Sequence, residues 1–130
     1  NGFRFRSGCP LFGLHLPGSV LRDCQERPDF SGVVSAACHS REALKKAVVL
    51  GLDMALVSPV ETTVSHPDRA PLGWQRAGEW ITGLPLACYG LGGVSPADLP
   101  TARQHGAIGV AGIRAFWPSS IMSTKNTKPL

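Results

Sequence analysis

The chain has 130 residues, of which 43% are hydrophobic and 17% charged, and its formal net charge is +4. That length fits one domain, and the hydrophobic fraction excludes global disorder. The basic residues are scattered, without a run or interleaved aromatic residues, which argues against nucleic acid binding. No apolar stretch approaches the roughly 20 residues of a membrane helix, and no secretory signal pattern opens the chain, so we expect a cytoplasmic location and no membrane contact.

The number and spacing of the cysteines are also typical of a cytoplasmic protein. The four cysteines (Cys9, Cys24, Cys38 and Cys88) form no C-x-x-C pair and have no histidine at zinc-finger spacing. Cys38 and Cys88 lie inside apolar runs, where a free thiol behaves as a small hydrophobic group. We therefore expect reduced cysteines and no metal ligands, with disulfides or a metal site as the alternative.

Short apolar runs, bounded by Gly, Pro or Ser, predict buried strands along the chain. The first is Gly13–Leu16, followed by a predicted helix from residue 19 to about residue 27. Further strands are predicted at 33–38, 53–57, 86–91 and 107–113. The segments between them predict helices: Ser40 is a good N-cap with Gly51 as the stop, residues 74–82 are amphipathic, and Ser95 with Pro96 opens a helix that ends before Gly106. This alternation predicts an α/β fold with a parallel sheet and right-handed crossovers.

The carboxyl ends of two neighbouring strands carry the pattern of an anion site, because ligands bind at such ends in parallel α/β folds. Gly92 and Gly93 precede a capped helix and can present bare N–H groups to an anion; taken alone, however, a Gly-Gly pair is more often a plain tight turn. Gly112, Ile113 and Arg114 follow the next strand, and two such ends in succession favour phosphate. Arg114 adds a positive charge unless it merely covers apolar surface.

Two further strand ends carry polar candidates. Thr63, Ser65 and His66 lie in a loop longer than α/β units usually need, where hydroxyls beside an imidazole suit phosphate oxygens; a solvated turn is the alternative. His39 directly follows a buried strand, so it is either a general acid/base or a structural histidine. His15 and His105 are interpreted as structural. The aromatic pair Phe116 and Trp117 is interpreted as a hydrophobic plug that packs the final helix against the barrel wall.

Several of these motifs occur together, and in the same order, in one known family. They are Gly13-Leu14-His15-Leu16, the run 36–43 around Cys38-His39-Ser40, Ser58-Pro59-Val60 with Thr63-Val64-Ser65, Pro71-Leu72-Gly73, Leu91-Gly92-Gly93-Val94 and 109–113. Over about residues 13–117 the chain resembles the thiamine-phosphate synthase and thiazole tautomerase family. The version ending Gly-Ile-Arg-Ala-Phe-Trp is particularly similar to the carboxyl-terminal domain fused behind Nudix hydrolases in some bacteria.

The resemblance implies a (β/α)₈ barrel of the TIM type, of which this chain supplies strands four to eight. We expect a partial barrel domain at residues 1–118 and a polar tail at 119–130. The family activity joins a pyrimidine diphosphate to a thiazole phosphate with help from Mg²⁺, giving thiamine phosphate and pyrophosphate. The implied phosphate ligands are Gly92, Gly93, Gly112, Ile113 and Arg114. The implied diphosphate ligands are Thr63, Ser65 and His66.

Departures from the family pattern concern charge and metal binding. His66 stands where the family has Lys, and Val20 where it has a metal-binding Asp, so we assign no metal ligand and expect weak synthase activity from the chain alone. One alternative is tautomerase chemistry on a thiazole phosphate, with His39 as the acid/base residue. Another is a non-catalytic sensing or interaction domain. A Nudix hydrolase domain or a second copy of the chain is the expected protein partner.

Overall fold

A computed structural model describes residues 12–64 and 67–117 of the chain. Its helices and strands alternate, as the sequence predicts. The strands are β1 (Gly13–Leu16), β2 (Val33–Cys38), β3 (Met54–Val57), β4 (Ala87–Leu91) and β5 (Gly109–Ala111). The helices are α1 (Gly18–Asp23), α2 (Arg41–Val49), α3 (Trp74–Ile81) and α4 (Leu99–Gln104), with short 3₁₀ turns at Pro96–Asp98 and Arg114–Phe116.

The strands form one parallel sheet whose spatial order is the order of the chain, β1-β2-β3-β4-β5. Right-handed crossovers that all step in one direction leave the helices on one face of the sheet. In agreement, α1 contacts α2 and α2 contacts α3. The α/β class and the parallel sheet are therefore confirmed, and all five strands have their carboxyl ends at one edge.

The core lies between the sheet and the helices. The buried strand residues alternate along β2, β3 and β4, as expected when one face meets a helix layer; they are Val34, Ala36, Cys38, Ala55, Val57, Cys88 and Gly90. Gly90 provides the space for the ring of Trp74, since a Cβ there would overlap it. The residues on the other face of the sheet, such as Met54 and Tyr89, are half-buried.

The predicted helix signals are present at two helix starts. The Ser40 hydroxyl accepts a hydrogen bond from the Ala43 N–H at 3.1 Å, and Gly51 ends the segment with a φ of 70°. The Ser95 N–H donates to the Asp98 carboxylate at 2.8 Å in a reciprocal capping box. Each cap satisfies N–H groups that have no partner within the helix.

Helix α1 is shorter than predicted, because it ends at Asp23 and not near Arg27. Arg27 precedes a proline, which disfavours helical backbone. Its guanidinium instead donates to the carbonyl oxygens of Gly51 and Gly32, and it forms a salt bridge of 3.0 Å with Asp53. In place of the predicted last helical turn, the Arg27 side chain therefore binds the residues that lie just before β2 and β3.

The last strand is also shorter than the predicted 107–113. The Ala107 N–H bonds to the Ala102 carbonyl at 3.0 Å and closes α4, while Ile113 already has helical backbone. Phe116 and Trp117, which we interpret as a plug, are 47% and 44% exposed, and a methyl group on Gly112 would lie 3.1 Å from the Phe116 ring.

Three of the four cysteines lie in the described part of the chain. Cys24, Cys38 and Cys88 are free thiols, whereas Cys9 and the predicted tail at 119–130 lie outside the described residues. Burial raises the pKa of Cys38 to about 12 and that of Cys88 to about 11, so neither is a thiolate at neutral pH. In residues 12–64 and 67–117, no helix has the length and apolar character needed to cross a membrane.

Candidate functional site

The loop that follows β3 lies alongside the end of β4. The Val60 N–H donates to the Leu91 carbonyl at 3.0 Å, and the Glu61 N–H donates to the Gly92 carbonyl at 2.9 Å. The returning part of the loop is held in turn, because the Leu72 N–H donates to the Pro59 carbonyl at 2.8 Å. The long loop is therefore fixed at its base against the sheet, next to the Gly92–Gly93 turn.

Gly92 and Gly93 both have positive φ angles, of 97° and 66°, which residues other than glycine rarely adopt. A methyl group on Gly92 would lie 2.9 Å from the Pro59 Cα and 3.3 Å from the Thr63 Cγ2. A methyl group on Gly93 would overlap the carbonyl oxygen of Thr62. These glycines are thus required where the β3 loop meets the end of β4, and they bring Thr63 beside Gly92.

The end of β5 lies next to this turn. A methyl group on Gly112 would be 3.5 Å from the Val94 carbonyl oxygen, so the two glycine segments are neighbours. Gly93 and Ile113 are exposed, and their N–H groups donate to no backbone carbonyl in the described part of the chain. Arg114 follows directly and is also exposed. We call these three residues, Gly93, Ile113 and Arg114, the glycine cradle; the backbone N–H groups of the first two are candidate donors to an anion.

The helical segment that follows the cradle is capped at its N-terminus by a carboxylate of the chain itself, that of Asp98. The Asp98 carboxylate accepts from the Ser95 N–H at 2.8 Å and from the Ser95 hydroxyl at 3.4 Å. An incoming anion would therefore compete with Asp98 at Ser95, whereas the N–H groups of Gly93 and Ile113 lie outside this cap. The cradle's capacity for an anion rests on those two groups and Arg114.

His39 lies at the carboxyl end of β2, between the ends of β1 and β3. Its Nδ1 is 3.0 Å from the Ser58 carbonyl oxygen and 3.2 Å from the Ser58 hydroxyl. A carbonyl oxygen only accepts, so Nδ1 carries a proton and donates it. In the neutral ring the lone pair is consequently on Nε2, on the ring edge that lies against Gly18. This arrangement orients an imidazole for proton transfer at Nε2.

The other histidines in the described residues bond elsewhere in the fold. The Nδ1 atom of His15 is 2.8 Å from the Ser35 hydroxyl on β2, and burial lowers the pKa of His15. The Nδ1 atom of His105 is 2.8 Å from the Thr101 carbonyl oxygen, and its ring stacks on Trp74. Both contacts agree with the structural roles expected for them. Ser65 and His66 lie outside the described residues.

A cavity of about 510 Å³ opens at the ends of β1 and β2 and continues between α1 and α2; we call it the α1–α2 cavity. His39 lines it, together with three basic residues that the sequence analysis did not single out: Arg22, Lys46 and Arg69. They lie on two helices and a loop that are distant in sequence. In the sequence these are single basic residues, one on each helix. Only the packing of α1 against α2 shows that Arg22 and Lys46 line the same cavity.

The side chains in the described part do not fit a magnesium site. His, Cys, Asp and Glu residues there form no group of three that could hold a metal ion. Val20, at the position where the family pattern has a metal-binding Asp, packs partly buried against the core. An aliphatic side chain offers no oxygen ligand, and Mg²⁺ is held through oxygen ligands. We derive no chemistry through Mg²⁺ for these residues.

Comparisons with known proteins identify relatives across most of the chain. The model of the family described as thiamine monophosphate synthase matches residues 6–116. A relative from Aquifex aeolicus, named "Putative thiamine-phosphate synthase 2", is 33% identical over 109 residues, covering 80% of this chain and 56% of that protein. The thiamine-phosphate synthase of Synechocystis sp. is 29% identical over 119 residues, covering 92% of this chain and 32% of that protein. The chain thus spans about half the length, or less, of these relatives.

Solved structures show the same fold. Thiamine phosphate pyrophosphorylase from Pyrococcus furiosus is similar with a TM-score of 0.58 at 15% identity, covering 78% of this chain and 48% of that one. A structure described as native KDPGal has a TM-score of 0.56 at 18% identity, covering 87% of this chain and 53% of that one. The family match over most of the chain carries the assignment: the chain belongs to the thiamine monophosphate synthase family.

Proposed function

We propose that this chain is the phosphate-holding part of a (β/α)₈ barrel that makes thiamine phosphate. In the proposed reaction a pyrimidine diphosphate and a thiazole phosphate are joined, and pyrophosphate is released. The single observation that carries the proposal is the glycine cradle. It lies at the carboxyl ends of adjacent parallel strands, where barrels bind phosphate. Gly93 and Ile113 are exposed residues there, and their N–H groups donate to no backbone carbonyl in residues 12–64 and 67–117.

The cradle suits the phosphate of the thiazole substrate. Backbone N–H groups can donate directly to phosphate oxygens. Arg114, the residue after Ile113, supplies a positive charge. Gly92, Gly93 and Gly112 bring the backbone into reach. The methyl group of Thr63 lies beside Gly92, which places this residue near the cradle. Thr63, Ser65 and His66 are our candidates for diphosphate ligands.

Proton transfer is the second candidate function, favoured by one observation on His39. Its Nδ1–H donates to the Ser58 carbonyl, which leaves the Nε2 lone pair as the basic atom. An imidazole oriented in this way could move a proton on a thiazole phosphate, as a tautomerase does, and needs no metal for that step. A fused Nudix hydrolase domain is the partner that the sequence resemblance implies, and it stays a prediction.

The test of the cradle is calorimetric binding of thiazole phosphate. We expect binding of the phosphorylated thiazole and little or no binding of the same thiazole alcohol without phosphate. Arg114→Ala should weaken binding by about tenfold, the loss of one charge-assisted contact. Arg103→Ala, which removes an exposed arginine on α4, is the matched control and should not change the affinity. Equal affinity for the two thiazoles would overturn the proposal.

A further inference from the structure

Glu61 lies beside the glycine cradle, on the side of β3. Its N–H donates to the Gly92 carbonyl at 2.9 Å, so its backbone is fixed against the end of β4. A methyl group on Gly93 would lie 2.9 Å from the Glu61 Cβ. The absence of a side chain at Gly93 therefore allows Glu61 to lie against the cradle, and only a few bonds separate that Cβ from the carboxylate oxygens.

The Glu61 carboxylate is uncommitted in the described part of the chain. Glu61 is half-buried, and within residues 12–64 and 67–117 its side chain forms no salt bridge and no hydrogen bond. The nearby Asp98 carboxylate, by contrast, accepts from the N–H and the hydroxyl of Ser95. Glu61 is thus a carboxylate next to the cradle that remains available to a ligand.

Opposite charges lie on the two sides of Gly93. The sheet order β3-β4-β5 places Glu61, in the loop after β3, on one side and Arg114, after β5, on the other. A simple phosphate at the cradle is attracted by Arg114 and repelled by Glu61. A ligand that also carries a positive charge close to its phosphate is attracted by both residues. The two charges together therefore favour a ligand with a phosphate and a cation over a simple phosphate.

The proposed reaction creates a cation of this kind. The thiazole nitrogen attacks the methylene carbon of the pyrimidine diphosphate, a C–N bond forms, and the C–O bond to the diphosphate breaks. Pyrophosphate leaves with the electron pair of that bond. The nitrogen has no proton to lose, so the ring keeps a permanent positive charge as a thiazolium. The thiazole ring is therefore neutral in the substrate and cationic in the product, while the phosphate is the same in both.

We propose that Glu61 is a specificity-determining residue, which makes the cradle select phosphate esters with a positively charged heterocycle over those with a neutral one. This inference rests on the proposed function, because it takes the cradle to hold the phosphate. Glu61 acts through its charge and not through the shape of the site. The chain accordingly retains the thiazolium product more tightly than the thiazole substrate.

The experiment compares two ligands that differ in the charge of the ring. They are thiazole phosphate and its N-methylated derivative, a thiazolium that carries the charge without the pyrimidine. Affinities are measured by calorimetry at an ionic strength of about 0.01 M, where charges are little screened. The unmodified chain should bind the thiazolium about fivefold more tightly than the neutral thiazole. Glu61→Gln should remove most of this preference, because it keeps the shape and loses the charge, whereas Glu61→Asp keeps the charge and should retain a preference.

Glu79→Gln is the matched control, because it removes an exposed carboxylate on α3. It should leave the preference unchanged. The same preference in the unmodified chain and in Glu61→Gln would overturn the inference, as would a preference of the unmodified chain for the neutral thiazole. In either case, binding of both ligands would leave the cradle intact as a phosphate site. Failure of both ligands to bind would overturn the inference and the proposed function together.

Discussion

The imidazole of His39 is held to the backbone of Ser58 through a 3.0 Å hydrogen bond between Nδ1 and the carbonyl oxygen. This contact connects the ends of β2 and β3 and fixes which nitrogen carries the proton in the neutral ring. It determines the chemistry available to His39, because only Nε2 remains to accept a proton or to contact a ligand.

The tautomer of His39 is directly observable. We expect a long-range ¹H–¹⁵N spectrum, recorded with the imidazole rings in their neutral form, to show His39 protonated at Nδ1 and unprotonated at Nε2. His105 is the internal reference, since its Nδ1 also contacts a carbonyl oxygen, that of Thr101, and must show the same tautomer. A neutral His39 with its proton on Nε2 would show that Nδ1 does not donate to the Ser58 carbonyl in solution, and it would remove the basis for proton transfer at Nε2.

Replacing Gly92 by alanine should destabilise the chain and displace the β3 loop. A methyl group there meets the Pro59 Cα at 2.9 Å, and the backbone φ of 97° is unfavourable for alanine. We expect a loss of about 3 kcal/mol in the free energy of unfolding, from strain and steric overlap together. Urea denaturation gives this free energy.

Gly51→Ala is the matched control for that substitution. Gly51 also has a positive φ, of 70°, but a methyl group there meets nothing within 4 Å. Its cost should therefore be that of the backbone conformation alone, about 1 kcal/mol. If the two variants lose equal stability, the close packing of the β3 loop against Gly92 is not a stabilising feature.

Asp53 should make the fold sensitive to acid. Its carboxylate accepts from the Val34 N–H at 2.8 Å and pairs with Arg27, and these contacts hold the pKa of Asp53 below its usual 3.8. A carboxyl group whose pKa is lowered by folding adds stability above its unfolded pKa, and this stability is lost as the pH falls through the folded value. In urea melts from about pH 6 down to about pH 2, Asp53→Asn should show a smaller acid-induced loss than the unmodified chain. Parallel losses in the two proteins would contradict this linkage.

Synthase turnover by the chain alone should be well below the rate of about 1 per second that ordinary enzymes reach. Pyrophosphate departure needs concentrated positive charge. The described residues hold no set of metal ligands, and Val20 offers no oxygen. The measurement is thiamine phosphate formation from both substrates, with and without Mg²⁺. Turnover at an ordinary rate would contradict the expectation that the cradle binds substrate without completing the reaction.

The strands could be predicted from the sequence because each is a short apolar run ended by Gly, Pro or Ser, a local property. The caps at Ser40 and Ser95 could be predicted for the same reason. The end of α1 could not, because it depends on Arg27 reaching Gly51 and Asp53, more than twenty residues away. Side-chain bonds of this kind leave no periodic signal.

The candidate site divides in the same way. Gly92, Gly93 and Gly112 could be identified because each follows an apolar run, which is visible in the sequence itself. The packing that requires Gly92 and Gly93 could not, since it depends on the fixed path of residues 59–63. The α1–α2 cavity could not be predicted, because Arg22, Lys46 and Arg69 come together only when two helices and a loop are packed.

The central claim is that the glycine cradle holds the phosphate of a thiazole phosphate, and the most direct measurement is an amide-resolved titration of the ¹⁵N-labelled chain with that compound. We expect the largest chemical shift changes at the N–H groups of Gly93 and Ile113, with smaller changes at Gly92 and Arg114, and none of these with the dephosphorylated thiazole. Saturable binding of thiazole phosphate that leaves the amides of Gly93 and Ile113 unchanged would contradict the account.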